Sequence, residues 1–309
     1  IATGVRELGR RAERAASRAQ PREGLRLSLC MIVRDEEEML PRCLASVADV
    51  VDEIVVVDTG SRDRTVEIAR SFGARVIEHE WTGSFAEARN VSFEAATGDW
   101  LMYLDADEVL VAEDAPRLRA QLGRTWREAF FLTELNYTGE LGDGTATTHD
   151  ALRIFRARPE YRFTGRLHEQ ITDALPRHQP ERIERTDIRI EHYGYLGVVR
   201  DRKQKSRRNL ELLERERAQQ AGDPFFHFNL GAEYAALGED DAALRELERA
   251  WELIAAAGTG STLGYVPSLA RRLVNALRAR GRYEDAIARA EEALRLFPDF
   301  TDLVYEQGL

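Results

Sequence analysis

The spacing of hydrophobic positions along this chain changes twice and divides it into three regions. Residues 1–25 are Arg-rich, with Arg6, Arg10, Arg11, Arg14 and Arg18 and no strong apolar stripe, which predicts a basic N-terminal helix or tail. From residue 26, near-continuous apolar runs alternate with helix-like segments. The runs are LSLCMIV (27–33), EIVVVD (53–58), ARVIEHE (74–80) and DWLMYLD (99–105); the helical segments between them are DEEEMLPRCLASVADV, RDRTVEIARSFG and SFAEARNVSFEAATG. Apolar strands that alternate with helices through short Gly- and Asp-containing turns predict an α/β fold on a parallel, doubly wound sheet. Further strands are predicted at AFFLTELNY, ALRIFR and DIRIEHYGY, with polar loops between them.

From residue 200 to 309 the pattern is almost purely helical, and it repeats. Leu230, Gly231, Tyr234, Leu237, Gly238, Ala243 and Ala250 fall on one grid; Leu273, Leu277, Gly281, Ala286, Ala293 and Pro298 fall on the same grid again. That grid is the one expected of tetratricopeptide (TPR) repeats, whose small residues let antiparallel helices approach closely. AAGTGSTLGY (256–265) lengthens the first repeat and makes the turn to the second.

Composition narrows the choices. A chain of 309 residues exceeds the usual size of one domain, and 43% hydrophobic with 32% charged residues is a globular balance. A net charge of −10 speaks against broad nucleic-acid binding, which needs a basic face. Two cysteines, Cys30 and Cys43, are too few for a disulfide framework or a cysteine-ligated zinc site, which suggests a cytoplasmic protein. No run of 18 apolar residues marks a transmembrane segment. The chain opens at Ile1 rather than Met, leaving room for an upstream segment.

In a sheet of this type, polar residues that do chemistry collect past the carboxyl ends of the strands. Asp35 follows the first strand, Asp58 closes the second, and Asp105 and Asp107 follow the fourth. Residues i and i+2 of an extended segment point the same way, so both carboxylates of Asp105-Ala106-Asp107 can reach one small region. Hard oxygen ligands with room for water and phosphate suit Mn²⁺ or Mg²⁺. Asp63 is placed to cap the helix after it, whereas Asp58 has no local role of that kind. No Gly-x-x-x-x-Gly-Lys loop is present, and HEQIT lacks the second His of a zinc protease.

Taken together, MIVRDEEEMLPRCLAS, VVVDTGSRDRT, FAEARN and the Asp-x-Asp of DWLMYLDADEVL resemble the family 2 glycosyltransferases of the GT-A fold, densely over residues 26–110. The resemblance implies a GT-A Rossmann-like α/β/α sandwich over residues 26–199, followed by an all-α TPR-like domain over 200–309. It implies that Asp58 contacts the base of a nucleotide, with Val33, Arg34 and Asp35 on the other side of the pocket. Asp105 would face the ribose or the donor sugar, Asp107 the metal, and Arg89 and Asn90 the donor. Thr59 departs from the pattern, since many relatives carry a second Asp there. RFTGRLHEQITD resembles the His-Glu loop of glycosyltransferases with appended TPR repeats, a branch that includes the sublancin-type peptide S-glycosyltransferases. That implies Glu169 as base and His168 as a metal or phosphate contact. Further on, His192 is a second candidate for a diphosphate or metal contact. The basic cluster Arg202, Lys203, Lys205, Arg207 and Arg208 is a solvated helix face from which one or two cations could reach the leaving group.

The expected function is an inverting, metal-dependent transfer of a hexosyl or N-acetylhexosaminyl group from a nucleotide sugar, a UDP-sugar first, to a peptide or protein held by the helical domain. A homodimer is allowed. The alternative is a TPR scaffold whose glycosyltransferase domain binds nucleotide sugars without turning them over.

Overall fold

The computed structural model describes residues 22–124, 126–137, 146–165, 169–171, 174–176, 179–194, 199–260 and 263–307. Residues 1–21, which hold most of the basic N-terminal segment, and His168 lie outside them. The chain divides into two compact units between Gly197 and Val198.

The first unit is built on an eight-stranded mixed sheet. Its strands are β1 (Leu27–Val33), β2 (Glu53–Asp58), β3 (Arg75–Glu78), β4 (Trp100–Tyr103), β5 (Glu108–Leu110), β6 (Ala129–Tyr137), β7 (Ala146–Arg156) and β8 (Ile183–His192), in the order β3-β2-β1-β4-β7-β6-β8-β5. β3, β2, β1 and β4 run parallel, as the apolar runs predicted; β7 joins β4 antiparallel and opens a mixed second half. Helices α1 (Leu40–Val47), α2 (Thr65–Ser71), α3 (Phe85–Ala95) and α4 (Ala115–Leu122) connect the strands.

Both faces of the sheet are covered, which is why these strands are apolar throughout. Leu27, Leu29, Met31, Trp100 and Met102 point into one core with Leu40, Leu44 and Phe130. Cys30, Leu101 and Tyr103 point into the other with Phe93, Phe155 and Phe163. Each fully buried aliphatic side chain contributes about 1.5–3 kcal/mol. Both cysteines are buried, and burial pushes their thiols well above the ordinary range.

The helical stretches are shorter than the polar and apolar pattern suggested. In DEEEMLPRCLASVADV only Leu40–Val47 is helical, with Pro41 in the first turn, where a missing N–H costs nothing. In contrast, β7 and β8 reach further toward the N-terminus than ALRIFR and DIRIEHYGY indicated, and β5 is a strand with no counterpart in the sequence pattern.

The second unit holds α5 (Val199–Gln220), α6 (Pro224–Leu237), α7 (Asp240–Ala257), α8 (Val266–Ala279), α9 (Tyr283–Leu296) and α10 (Thr301–Gln307). The repeat positions behave as the grid requires: Leu230, Ala243, Ala250, Leu273, Leu277, Ala286 and Ala293 are all buried. At Gly231, α6 meets α7 so closely that a Cβ would lie 2.8 Å from Leu247 Cγ.

Candidate active site

The carboxyl ends of β1 and β2 are stitched into one platform. Register pairs Val33 with Asp58, and the Thr59 amide and hydroxyl both donate to the Val33 carbonyl, at 3.0 and 3.1 Å. Asp35 adopts a left-handed backbone, φ 54°; its amide donates to Ser61 Oγ and its carboxylate accepts from the Arg62 amide at 2.7 Å. The exposed guanidinium of Arg34 lies 3.8 Å from Asp35. Asp63 is not the N-cap expected of it, since Arg64 holds that position without a side-chain cap; one residue earlier, Asp63 accepts from the Thr65 amide and hydroxyl at the start of α2 and from the Glu37 amide.

Asp58 differs from expectation. It is buried and does have a local role: its carboxylate accepts from the amides of Gly60 and Ser61, each at 3.1 Å, and from the Ser61 hydroxyl. Short polar side chains that bond to the backbone two or three residues on build this kind of turn.

A second group forms where α3, β4 and the loop after Phe163 meet. Arg89 is buried, with its guanidinium over the rings of Tyr103, 4.7 Å, and Phe163, 5.4 Å. Its Nε donates to Glu169 at 3.0 Å and its Nη2 to Asp105 at 3.2 Å. One cation thus gathers two expected site residues far apart in the chain. Burial raises the Asp105 carboxyl, but Arg89 and Arg153 outweigh it and hold it below the usual range.

Glu169 is brought there by its loop. Thr164 and Gln170 exchange both backbone hydrogen bonds, at 3.0 and 2.9 Å, which fixes the backbone next to Glu169. Asn90 fastens the base of that loop, since its amide donates to the Phe163 carbonyl and accepts from the Phe163 N–H, both at 2.9 Å. Both polar atoms of Asn90 are thereby engaged with protein.

The third group contains Asp107 and His192. β5 pairs antiparallel with β8, setting Glu108 opposite His192, and the Tyr193 amide donates to the Asp107 carbonyl at 3.0 Å. The ladder leaves His192 Nε2 3.4 Å from Asp107 Oδ2. The other ring nitrogen faces Asn136 Oδ1 at 2.8 Å and Glu134 Oε1 at 3.1 Å. Burial lowers the imidazolium, but the carboxylates of Asp107 and Glu134 prevail and push it up to about 10.

The atoms fit a divalent cation. A carboxylate oxygen and an imidazole nitrogen face each other at a separation that one small ion can bridge in place of the Nε2 proton, which the ion would displace. The space beside them is kept clear by Gly194, where a Cβ would fall 2.1 Å from Asp107 Oδ2 and 2.8 Å from His192 Nε2.

Beneath this pair lie polar residues that the sequence pattern did not single out. Arg153 on β7 is buried, and its Nη2 binds Glu108 and, at 2.8 Å, Glu134. Burial pushes the Glu108 carboxyl up to about 8 despite Arg153. Burial also raises Glu134, but His192, Arg153 and His149 bring it down to about 2. Glu108 Oε2 accepts the Asp105 amide at 2.9 Å, so this acid orients the loop. Of the basic cluster, Arg207 and Arg208 are exposed on α5. The side chains of Arg202, Lys203 and Lys205 lie outside the description.

The chain is similar in sequence to several known proteins. The family model "Glycosyl transferase family 2" matches residues 28–177, and a tetratricopeptide-repeat model matches 267–308. A TPR repeat-containing protein of Synechococcus elongatus is 43% identical over 232 residues, 72% of this chain and 56% of that protein. The SPbeta prophage-derived glycosyltransferase SunS of Bacillus subtilis is 30% identical over 231 residues, 71% of this chain and 51% of its own length. The chain thus spans about half the length of these relatives. A crystal structure of Staphylococcus aureus TarS (1–349) superimposes with a TM-score of 0.44 at 14% identity over 92% of this chain and 89% of that one, too loosely to bear on the site.

Proposed function

Because residues 28–177 are a glycosyl transferase family 2 domain, we propose that the protein moves a sugar from a nucleoside diphosphate, a UDP-sugar first, to a peptide or protein acceptor, with inversion. The observation that carries this reading is the convergence at one strand end of Asp105, Asp107, His192 and Glu169, drawn from distant parts of the chain.

Asp107 and His192 would hold a Mn²⁺ or Mg²⁺ ion, which, when bound, offsets the negative charge that builds on the departing diphosphate. Val33, Arg34, Asp35 and Asp58 form the base side of the donor pocket: the Asp58 turn fixes the backbone there, and the left-handed Asp35 turns its loop across the end of β1. Asp105, kept ionised by Arg89, faces the ribose or sugar. Glu169 is the base. It takes the proton of the acceptor as the acceptor atom attacks the anomeric carbon and the bond to the diphosphate breaks, and one such displacement inverts the centre. Arg89 holds Glu169 in place and pairs with both carboxylates, at 2.9 Å from Glu169 and 3.2 Å from Asp105. His168 is kept as a further metal or phosphate contact.

The acceptor is assigned to the helical unit, where a hollow of about 350 Å³ is lined by Trp251, Leu273, Leu277, Arg282 and Asp285 among others. Its walls, Trp251 and two leucines among charged side chains, offer a peptide both apolar and ionic contacts.

The test is incubation with a panel of UDP- and GDP-sugars and Mn²⁺ while nucleoside diphosphate release is followed. Wild type should release UDP, and Asp107→Ala should lose about 10³-fold in kcat, some 4 kcal/mol of transition-state stabilisation. No release from wild type with any donor would overturn the enzyme and favour a binding-only scaffold.

A further inference from the structure

Arg153 ties together the two carboxylates that hold the Asp107–His192 pair in place. Its guanidinium is buried and lies 4.9 Å over the ring of Tyr103. Through Nη2 it bonds both Glu108 and Glu134, one from each of the strands β5 and β6. Each carboxylate in turn fixes one half of the pair. Glu108 accepts the Asp105 amide, setting the loop that carries Asp107. Glu134 accepts from His192 Nδ1, which leaves Nε2 as the atom presented to Asp107.

We infer that the Glu108–Arg153–Glu134 bridge is a positioning device that sets the distance between Asp107 and His192 and thereby the affinity for the divalent cation. The inference rests on the metal site of the proposed function. It also accounts for a second feature. Ligand atoms of Glu108, Glu134 and His192 lie within 4.8 Å of one another, a spacing that could hold a cation. The Arg153 guanidinium already supplies positive charge between the two carboxylates, so His192 is not drawn inward to a deeper ion and stays available to Asp107. Both carboxylates meet the same nitrogen, Nη2, so the bridge depends on where the arginine's reach over the Tyr103 ring sets that one atom.

Partners that orient a metal ligand from behind change metal affinity 10- to 100-fold when removed. The informative variant is Glu134→Gln, which keeps shape and removes one charge while Asn136 still faces His192 Nδ1 at 2.8 Å. Arg153→Lys is its companion, keeping the charge while shortening the reach and losing the planar group over Tyr103. The whole chain would be titrated with Mn²⁺ in the presence of UDP, with free Mn²⁺ followed by electron paramagnetic resonance. Melting curves in EDTA would report the fold separately.

The expected result is full stoichiometry in both variants with a Kd for Mn²⁺ raised 10- to 100-fold, and turnover regained at high Mn²⁺. Unchanged Kd in both variants overturns the inference, whether their melting temperatures fall or not, because a purely structural bridge alters the folded fraction and the stoichiometry only. Wild type that binds no Mn²⁺ with UDP overturns the metal site itself and the inference with it. Wild type that binds while the variants bind equally well overturns this inference alone.

Discussion

Two clusters in the first unit are built from the same materials, buried carboxylates and arginines, yet they are paired differently. In one, Glu128 is 1% exposed and every approach to it is filled: Arg158 donates through two nitrogens at 2.5 and 2.6 Å, Arg182 at 2.7 Å and the Tyr161 hydroxyl at 2.9 Å. In the other, around Tyr103, the guanidinium atoms Arg89 Nη1 and Arg153 Nε are buried with no partner among the described residues, and Glu108 is pushed toward its neutral form. A buried donor left unmade costs about 1–3 kcal/mol, so such atoms persist where another demand outweighs stability. The Glu128 cluster is a knot that holds strands together. The cluster at the far end of β6, roughly 20 Å away at strand rise, keeps hydrogen-bonding capacity in reserve.

The sharpest way to separate the two is to neutralise one carboxylate in each without changing its shape. Glu169→Gln should lower kcat of the folded enzyme by about 10²–10⁴-fold, and because it removes one charge beside the buried Arg89 it should lower the melting temperature as well. A kcat that stays at the wild-type value for the folded enzyme would make Glu169 a structural residue. Glu128→Gln should cost stability alone. Removing one side of a wholly buried ion pair costs about 3–5 kcal/mol; here Arg158 and Arg182 are 42% and 27% exposed, and solvent screening reduces the loss to about 2 kcal/mol. Urea denaturation should show that deficit, with kcat unchanged for the folded enzyme. A kcat loss in Glu128→Gln would erase the distinction.

What the sequence disclosed about these clusters followed the range of the signal. The parallel half of the sheet was legible because each strand announced itself locally, as an apolar run ending in Asp or Gly, and the acids at its ends came with it. Glu108–Leu110 was not, since three residues carry no periodicity; the strand exists through its pairing with β8. Glu134 and Asn136 were hidden inside AFFLTELNY, although the alternation held a clue. Counting by two from Leu132 sets both on the buried face, while Thr133 and Leu135 are only half-buried. A charged residue on the core-facing parity of a strand is a sign of a buried network, and Arg153 within ALRIFR is another, with Leu152, Ile154 and Phe155 all buried around it. Asp58 failed in the opposite direction. Its position at a strand end suggested a free carboxylate, and only coordinates show that the Gly60-Ser61 turn engages it.

The same comparison extends to pH, where the effect is smaller but its sign is fixed. Burial raises the Glu128 carboxyl, yet bonds from Arg158 and Tyr161 overcome it and hold the group below its ordinary value of 4.5. A carboxyl depressed by folding contributes stability that is complete above the unfolded value and is lost as pH falls through the folded one. Wild type should therefore exceed Glu128→Gln in urea midpoint by a constant margin above about pH 4.5, and the margin should shrink as acid protonates Glu128 in the folded protein. Taking the difference between the two proteins cancels every other carboxylate they share. Arg158 and Arg182 stay charged throughout, so any closing of the gap reports Glu128 alone. A margin that stayed constant into strong acid would mean that the knot holds by packing and neutral hydrogen bonds, and that its charges, unlike those around Tyr103, contribute nothing.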